Sequence, residues 1–163
     1  VKVSGIKIGS LIWEVKINEK KYLNSLKLKS EGLLSRIYEF NGEYFSKGVL
    51  EQNKLTPIEY GHVWNTNKNN KNMNLIFQDE KLLSLIQTPA EKEHLRINIF
   101  NIKKTKDPVS SFLQIIMGEK NSLVVDGRRI YTMNGLFNKK TNQTMISISN
   151  YSNFRCKIIN LSQ

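Results

Sequence analysis

The chain has 163 residues and a formal net charge of +11, from 25 lysine and arginine residues against 14 aspartate and glutamate residues. This length predicts one domain whose hydrophobic core is stable without disulfides or metal ions. The single cysteine, Cys156, excludes an internal disulfide and is expected to be a buried, inert thiol, and the isolated histidines His62 and His94 argue against a zinc site. No stretch approaches the ~20 apolar residues that span a bilayer.

The basic charge invites a nucleic-acid-binding interpretation. However, lysine outnumbers arginine 20 to 5, and lysine is the poorer bidentate ligand of phosphate and guanine. Nucleic acid is therefore an unlikely partner, and its binding is ranked last among the functions considered. The charge should instead attract anionic surfaces, including lipid headgroups, through a general field that salt screens.

Alternating apolar and polar residues predict short strands along most of the chain. Before the helix described next, they are expected at residues 1–3, 6–8, 11–17, 22–30, 43–50, 58–64, 73–77, 82–87 and 94–102. The pair Asn41-Gly42 is typical of a two-residue hairpin turn, and the polar run at 65–72 predicts an exposed hairpin tip. Residues 33–40 fit either a helix or a strand.

One amphipathic helix is predicted after Asp107. This residue suits the N-cap, because its carboxylate can accept from the backbone N–H of Ser110, and Pro108 suits the first helical position. Apolar residues then recur at the spacing of one buried helical face, at Val109, Phe112, Leu113 and Ile116, and Ile115 and Met117 widen that face. Gly118 is placed to end the helix in a left-handed conformation. A helix of about three turns is too short to be stable alone in water, so it must pack on an apolar surface.

A second hairpin is predicted after the helix. Residues 122–125 and 128–133 are its strands, and Asp126 and Gly127 are expected to form a turn in which both have positive φ. Arg128 and Arg129 are expected to be a solvated pair. The functional alternative is an anion or headgroup contact made by a guanidinium group.

With further strands at 145–149 and 154–161, the count reaches roughly eleven strands with turns every ~8–12 residues, which is typical of all-β barrels and sandwiches. The predicted fold is all-β and mainly antiparallel: a curved, open β-barrel or β-spiral wrapped on the one amphipathic helix. It would form a single β-barrel-like domain over residues 1–163. Such a shape would protect sheet edges, which a long row of strands must close or cover.

Catalytic chemistry is not indicated by any motif. A Ser-His-Asp order, GxSxG, HExxH, a P-loop and a dinucleotide glycine pattern are all absent from the sequence. No catalytic residue, metal or cofactor is therefore predicted, and His62 is interpreted as a packed, structural histidine. A hydrolase that uses His62 and a glutamate from a distant part of the chain is the less favoured alternative.

Aromatic residues on the alternating strands are expected to form core, or, in the functional alternative, to line a concave apolar cavity. The candidate ligand-binding residues are Trp13, Tyr38, Tyr60, Trp64, Arg128 and Arg129.

Six segments appear in a fairly specific order and spacing: 3–9, 44–48, 55–60, 75–77, 107–111 and 126–131. In these segments the chain resembles a family of uncharacterised exported bacterial proteins catalogued as domain of unknown function thirty-one-oh-eight. The resemblance implies a periplasmic protein made with a signal peptide, with a final strand or two expected beyond Gln163. It also implies a shape similar to envelope-integrity β-spiral proteins and lipoprotein-carrier half-barrels. It assigns no catalytic residues.

The motif positions are expected to be mostly structural. They are Ser46, Gly48, Pro57, Asp107, Ser110, Asp126, Gly127 and Tyr131. The leading hypothesis is a non-enzymatic periplasmic protein of envelope maintenance that holds a lipid or other apolar or amphipathic ligand, or a segment of an envelope protein partner. The alternative is a protein–protein interaction scaffold whose barrel is filled by its own side chains.

Overall fold

A computed structural model of the chain describes residues 2–3, 6–90, 98–127 and 129–150. The strands are β1 (Lys2–Val3), β2 (Ile6–Lys7), β3 (Gly9–Asn18), β4 (Lys21–Ser30), β5 (Phe40–Glu51), β6 (Lys54–Thr66), β7 (Asn70–Gln78), β8 (Lys81–Thr88), β9 (Thr105–Lys106), β10 (Asn121–Asp126), β11 (Arg129–Asn138) and β12 (Gln143–Asn150). The helices are α1 (Leu33–Ile37) and α2 (Pro108–Ile116), and a 3₁₀ turn spans Ile99–Asn101.

Ten of these strands form two sheets. The larger sheet has the order β3-β4-β5-β6-β7-β8 with antiparallel neighbours, and the smaller has the order β12-β11-β10-β9, in which the short β9–β10 contact is parallel. Strands β1 and β2 pair with each other and belong to neither of these sheets. The expected all-β, mainly antiparallel class is therefore confirmed. The described strands do not close into a barrel, and the expected arrangement of roughly eleven strands is not confirmed.

The two sheets meet along β8 and β9. Lys103 forms a single antiparallel bridge with Lys81, and the backbone N–H of Thr105 donates to the carbonyl of Glu80 at 3.0 Å. Two backbone contacts therefore connect the smaller sheet to the edge of the larger one. Within the described part of the chain, β3 is the terminal strand of the larger sheet and β12 that of the smaller.

Helix α2 lies between the sheets and packs on both. Leu113 packs with Tyr22 and Leu55 of the larger sheet, and Ile115 packs with Val124 and Met133 of the smaller one. A third cluster joins the sheets beside the helix and contains Tyr60, Met73, Leu75, Phe77, Leu82, Ile99, Val109, Val125 and Ile130. Because the helix has a sheet on each of two sides, its buried surface is wider than one stripe.

The predicted start of α2 is confirmed. The carboxylate of Asp107 accepts from the N–H groups of Val109 and Ser110 at 2.9 Å each, and Pro108 is the first helical residue. Gly118 follows the helix with a φ of +108°. The predicted buried stripe is wrong at its end. Ile116 is 46% exposed, whereas Ile115 is 3% exposed because the smaller sheet covers it.

The predicted turn at Asn41-Gly42 is wrong. Both residues lie inside β5, and a Cβ atom on the glycine would lie 2.8 Å from the ring of Phe40 and 2.9 Å from that of Tyr44. Glycine is required there because aromatic rings close over the backbone, not because the chain turns. Strand β5 runs on to a turn at Gln52 and Asn53, with φ values of 48° and 65°, between the strands expected at 43–50 and 58–64.

The predicted turn at Asp126-Gly127 is shifted by one residue. Asp126 is the last residue of β10 and pairs with Arg129, so the turn begins at Gly127. Gly127 has a φ of +59° and packs closely on Met73, where a Cβ atom would lie 2.9 Å from the sulfur. Because of this close contact, a residue without a Cβ atom suits the first position of the turn.

Other strand predictions have mixed outcomes. The ambiguous segment at 33–40 contains α1, and the end of the strand expected at 94–102 is the 3₁₀ turn, in which Asn98 Oδ1 accepts from the N–H of Phe100 at 3.2 Å. Residues 91–97, with His94, and the strand expected at 154–161, with Cys156, lie outside the described residues.

Candidate functional site

The inner face of the larger sheet, defined as the face that packs on α2, carries an apolar surface beyond the start of that helix. Cross-strand partners place their side chains on the same face of a sheet. One row across β3 to β6 is Leu11, Leu28, Gly42 and Trp64, and the next is Trp13, Leu26, Tyr44 and His62. At about 4.8 Å between strands, each row spans ~14 Å. We call these eight residues the apolar floor.

The floor is partly open. Leu11 is 49% exposed, Trp13 38% and Trp64 37%, and the other side chains are intermediate in exposure. Phe40 extends the floor, because its ring meets the indole of Trp64 edge-to-face with centroids 5.2 Å apart. Contiguous apolar surface of this kind marks ligand or partner sites more often than scattered exposed side chains do.

Trp13 is held against α2 by specific contacts. Its ring packs edge-to-face on Phe112 with centroids 5.4 Å apart, and its Nε1 donates to Asn24 Oδ1 at 2.6 Å. The Nδ2 of Asn24, a fully buried side chain, donates in turn to the carbonyl of Val109 at 2.9 Å. The indole is therefore fixed in place before any ligand arrives, and its exposed part faces the floor.

His62 lies on the floor. Burial lowers its pKa, and Lys71 on the neighbouring strand lowers it further. Its Nδ1 lies 3.2 Å from the hydroxyl of Tyr60, and its ring contacts that of Tyr44 at 5.3 Å. Among the described residues, no carboxylate, serine or cysteine is a hydrogen-bond partner of His62. Its hydroxyl partner among the described residues is that of Tyr60, a buried side chain whose pKa is raised by burial.

A buried polar network anchors the start of α2 next to the floor. Ser46 and Ser110 donate their hydroxyls to Asp107 Oδ2 at 2.8 and 2.6 Å, and the hydroxyl of Tyr22 lies 2.7 Å from that of Ser110. Burial raises the pKa of Asp107, an effect that the hydrogen bonds oppose, and burial also raises the pKa of Tyr22. All four residues are at most 3% exposed. The network therefore joins the helix to β4 and β5 and offers no surface to a ligand.

Asp126 lies in a second polar cluster near the same helix end. Burial raises its pKa, and the guanidinium of Arg129 opposes the rise. Its charge raises the pKa values of Tyr44, Tyr60 and Tyr131, for each of which burial is the larger cause. Because the cluster contains a partly buried carboxyl, its charge state affects stability rather than ligand contact.

Gly48 and Pro57 are opposite each other where β5 and β6 change register. A Cβ atom at Gly48 would lie 2.9 Å from the ring of Tyr22. The register shift keeps both Leu55 and Tyr60 turned toward the core, although their separation is odd. These motif residues therefore shape the sheet.

The structure separates the six residues predicted to bind a ligand. Trp13 and Trp64 share the floor, at opposite corners. Tyr60 is 1% exposed and belongs to the core, and Tyr38 is exposed in the connection between α1 and β5. Arg129 is exposed beside the β10–β11 turn, and Arg128 lies outside the described residues.

The floor residues that sequence reasoning did not propose are Leu11, Leu26, Leu28, Tyr44, His62 and, beside them, Phe112. The alternation of the strands does show that Leu26 and Leu28 share a face with each other. It cannot show which strands are neighbours, and only sheet order assembles the rows.

A second concave feature lies at the β7–β8 turn. It is an open pocket of about 380 Å³ lined by Gln78, Asp79, Lys81, Leu82, Leu83 and Phe100. Three of its lining residues are polar or charged and three are apolar, and it contains none of the residues proposed for ligand contact. The floor carries two of those residues, Trp13 and Trp64, and is therefore preferred as the candidate site.

In the described part of the chain, no helix has the length and apolar character needed to cross a membrane, and no group of three or more metal-ligating side chains converges.

Comparison with known proteins assigns the chain to a family. Neither the curated proteins nor the solved structures gave a significant match. A family model matches residues 1–152. The chain belongs to the family described as Protein of unknown function (DUF3108).

Proposed function

We propose that this chain is a non-enzymatic periplasmic protein of the bacterial envelope that binds an amphipathic ligand with an alkyl chain on the apolar floor. The observation that carries the proposal is the pair of half-exposed indoles, Trp13 and Trp64, at opposite corners of the two rows of the apolar floor. The periplasmic location rests on the family resemblance of the sequence. Fractionation of bacteria that express the complete gene product tests it directly.

The filled interior supports a surface site rather than an enclosed one. Helix α2 and three apolar clusters occupy the space between the two sheets. A ligand would therefore lie on the floor, with α2 as a wall at Phe112. This geometry replaces the enclosed cavity that aromatic strand faces suggested.

Charge favours an anionic headgroup. Lys71 is exposed and is the cross-strand partner of Trp64, so it lies at the edge of the floor on the same face. The net charge of +11 attracts anions generally. An alkyl carboxylate or an anionic lipid could place its chain on the floor and its head at Lys71.

The expected affinity is modest. Contact over ~300 Å² of apolar area, counting both partners, is worth about 7 kcal/mol at ~25 cal/mol per Å². Part of this is lost to immobilising the ligand, so a dissociation constant in the micromolar range or weaker follows.

Titration with oleate below its critical micelle concentration tests the site. Two variants, Trp64→Phe and Trp13→Phe, each leave one indole as the reporter. We expect both indoles to shift their emission to the blue with the same dissociation constant, since one ligand covers both ends of the floor. An emission that does not change up to millimolar oleate would contradict the proposal.

A matched pair of substitutions locates the binding surface. Leu28→Asp places a charge in the middle of the floor and should weaken oleate binding at least about tenfold, because the charge would be desolvated by the alkyl chain. Ile86→Asp is the control, since Ile86 is 63% exposed and pairs with Asn74 on the opposite face. Equal binding by the two variants would show that the ligand lies elsewhere.

A further inference from the structure

Strand β3 is the terminal strand of the larger sheet in the described part of the chain, and its backbone groups can be assigned. The N–H of Glu31 donates to the carbonyl of Ile8 at 3.0 Å, and the β3–β4 register then continues unshifted to Asn18. In an antiparallel pair, the residues that bond to the partner alternate with residues that point their N–H and C=O away. Even-numbered residues of β3 therefore bond to β4. The outward-pointing ones include Leu11, Trp13, Val15 and Ile17.

These four residues combine outward-pointing backbone groups with exposed apolar side chains. Apart from the β4 ladder, no backbone hydrogen bond to them is found among the described residues. Their side chains share the inner face, with Val15 39% and Ile17 54% exposed. Sheet edges are normally protected by proline, a bulge or a covering segment. The β3–β4 pairing has neither a proline nor a register shift.

The charges on β3 indicate what would pair with this edge. Its outer face carries Glu14 and Lys16, two residues apart and both strongly exposed. Two copies of β3 can pair antiparallel about Val15, which means that Val15 of one copy lies directly opposite Val15 of the other. Glu14 of each copy then lies opposite Lys16 of the other. On the inner face, Trp13 of each copy lies opposite Ile17 of the other, so this contact is made twice. In this register odd-numbered residues of one copy face odd-numbered residues of the other. The outward-pointing N–H and C=O groups of the two copies can therefore bond to each other.

Neighbouring registers are less favourable. Pairing about Glu14 or about Lys16 places two like charges directly opposite, which is destabilising. Pairing about Trp13 places Glu14 opposite Ile12 and Lys16 opposite Ser10, so neither charge meets its opposite. The register about Val15 alone satisfies both charges with two reciprocal ion pairs.

We infer that the β3 edge is a homodimer interface, in which two copies of this chain pair their β3 strands antiparallel about Val15. The interface extends the larger sheet from one copy into the other and is isologous, as two-fold dimers require. It also places the two apolar floors side by side. The inference goes beyond ligand binding, since dimerisation through the edge of β3 and oleate binding on the floor are tested by different variants and different assays.

Charge exchange at Glu14 and Lys16 tests the register. In sedimentation equilibrium at 150 mM salt, the unaltered chain should form a dimer, and Glu14→Lys and Lys16→Glu should each raise the dissociation constant about tenfold or more, since each change converts two attractive pairs into two repulsive ones. The double variant restores both pairs and should dimerise like the unaltered chain. An equimolar mixture of the two single variants should form a heterodimer.

Net charge alone predicts a different pattern. Lys16→Glu lowers the positive charge of the chain, so weaker general repulsion would strengthen association instead of weakening it. Lys29→Glu is the matched control, because it makes the same charge change at an exposed residue of β4, away from the edge strand. It should leave the dimer intact. Far-UV circular dichroism should be unchanged for every variant.

Three results would overturn the inference. They are a chain that is monomeric at several hundred micromolar, a dimer that the single variants do not weaken, and a mixture of single variants that stays monomeric. Each would show that the β3 edge does not pair with itself about Val15.

Discussion

Replacing Asp107 with alanine tests whether the buried network anchors α2. The carboxylate accepts two backbone N–H groups and the hydroxyls of Ser46 and Ser110, and it has no exposed surface. The lost cap costs about 1–2 kcal/mol. Because water cannot reach the site to replace the acceptor, the unsatisfied donors add about 1–3 kcal/mol. We expect a total loss of about 3 kcal/mol in the free energy of unfolding.

Asp107→Asn is the matched control. Its amide oxygen can still accept from the N–H groups of Val109 and Ser110, and the two serine hydroxyls can accept from its amide nitrogen. We expect it to cost about 1 kcal/mol or less. Urea unfolding at pH 7, with unchanged denaturant slopes, measures both variants. A loss under 1 kcal/mol for Asp107→Ala, or equal losses for the two variants, would refute the anchoring role.

The same carboxyl contributes a pH dependence. Its pKa is raised in the folded state because burial disfavours its charge. The folded state therefore binds this proton more tightly than the unfolded state, in which the pKa is about 3.9. Its contribution to stability is full below that value and is lost as the pH rises through the higher folded pKa. Asp107→Asn should flatten this part of the stability profile, and an unaltered profile would count against a raised pKa.

Three further predictions concern the surroundings of the floor. Asp126→Asn should also reduce the fall of stability with rising pH above ~4, since burial raises the pKa of Asp126; urea unfolding between pH 4 and 7 measures this, and an unchanged slope would contradict it. Phe112→Ala should cost about 2 kcal/mol, less than a fully buried phenylalanine because its ring is half-buried, and should alter the fluorescence of Trp13; a loss under 0.5 kcal/mol by urea unfolding would be too small for this packing. Gly42→Ala should cost about 1–3 kcal/mol, since its Cβ atom would lie 2.8 Å from the ring of Phe40; thermal unfolding at or above the unaltered midpoint would show that no ring closes over the backbone.

Local signals predicted the helix well. An N-cap, a proline at the first position and a following glycine act within one short segment, so α2 starts at Pro108 as expected. The burial of Ile115 on the widened apolar face is also confirmed, because the smaller sheet lies on that side of the helix. The exposure of Ile116 was not predicted, since the spacing of apolar residues within α2 does not show which part of the face meets solvent.

Turn signals failed where tertiary packing decides. The Asn41-Gly42 pair has turn chemistry, yet its glycine is needed to admit two aromatic rings in a long strand. The turn between β5 and β6 is formed by Gln52 and Asn53, which have positive φ although neither is glycine. In both cases the pairing of whole strands outweighs the preference of two residues.

The anchoring network and most of the floor could not be predicted from the sequence, for one reason. Tyr22, Ser46 and Ser110 are far apart in the chain, and only sheet order and helix placement bring their hydroxyls together. The edge position of β3 is a similar case. The alternation of β3 matches that of an inner strand, and its terminal position follows from the sheet alone.

The central claim is that the apolar floor binds an amphiphile, and native mass spectrometry in the presence of a tenfold excess of oleate tests it most directly. The account predicts one bound oleate per chain for the unaltered protein and for Ile86→Asp, and none for Leu28→Asp. The same bare mass for all three proteins, or an equal adduct on all three, would contradict it.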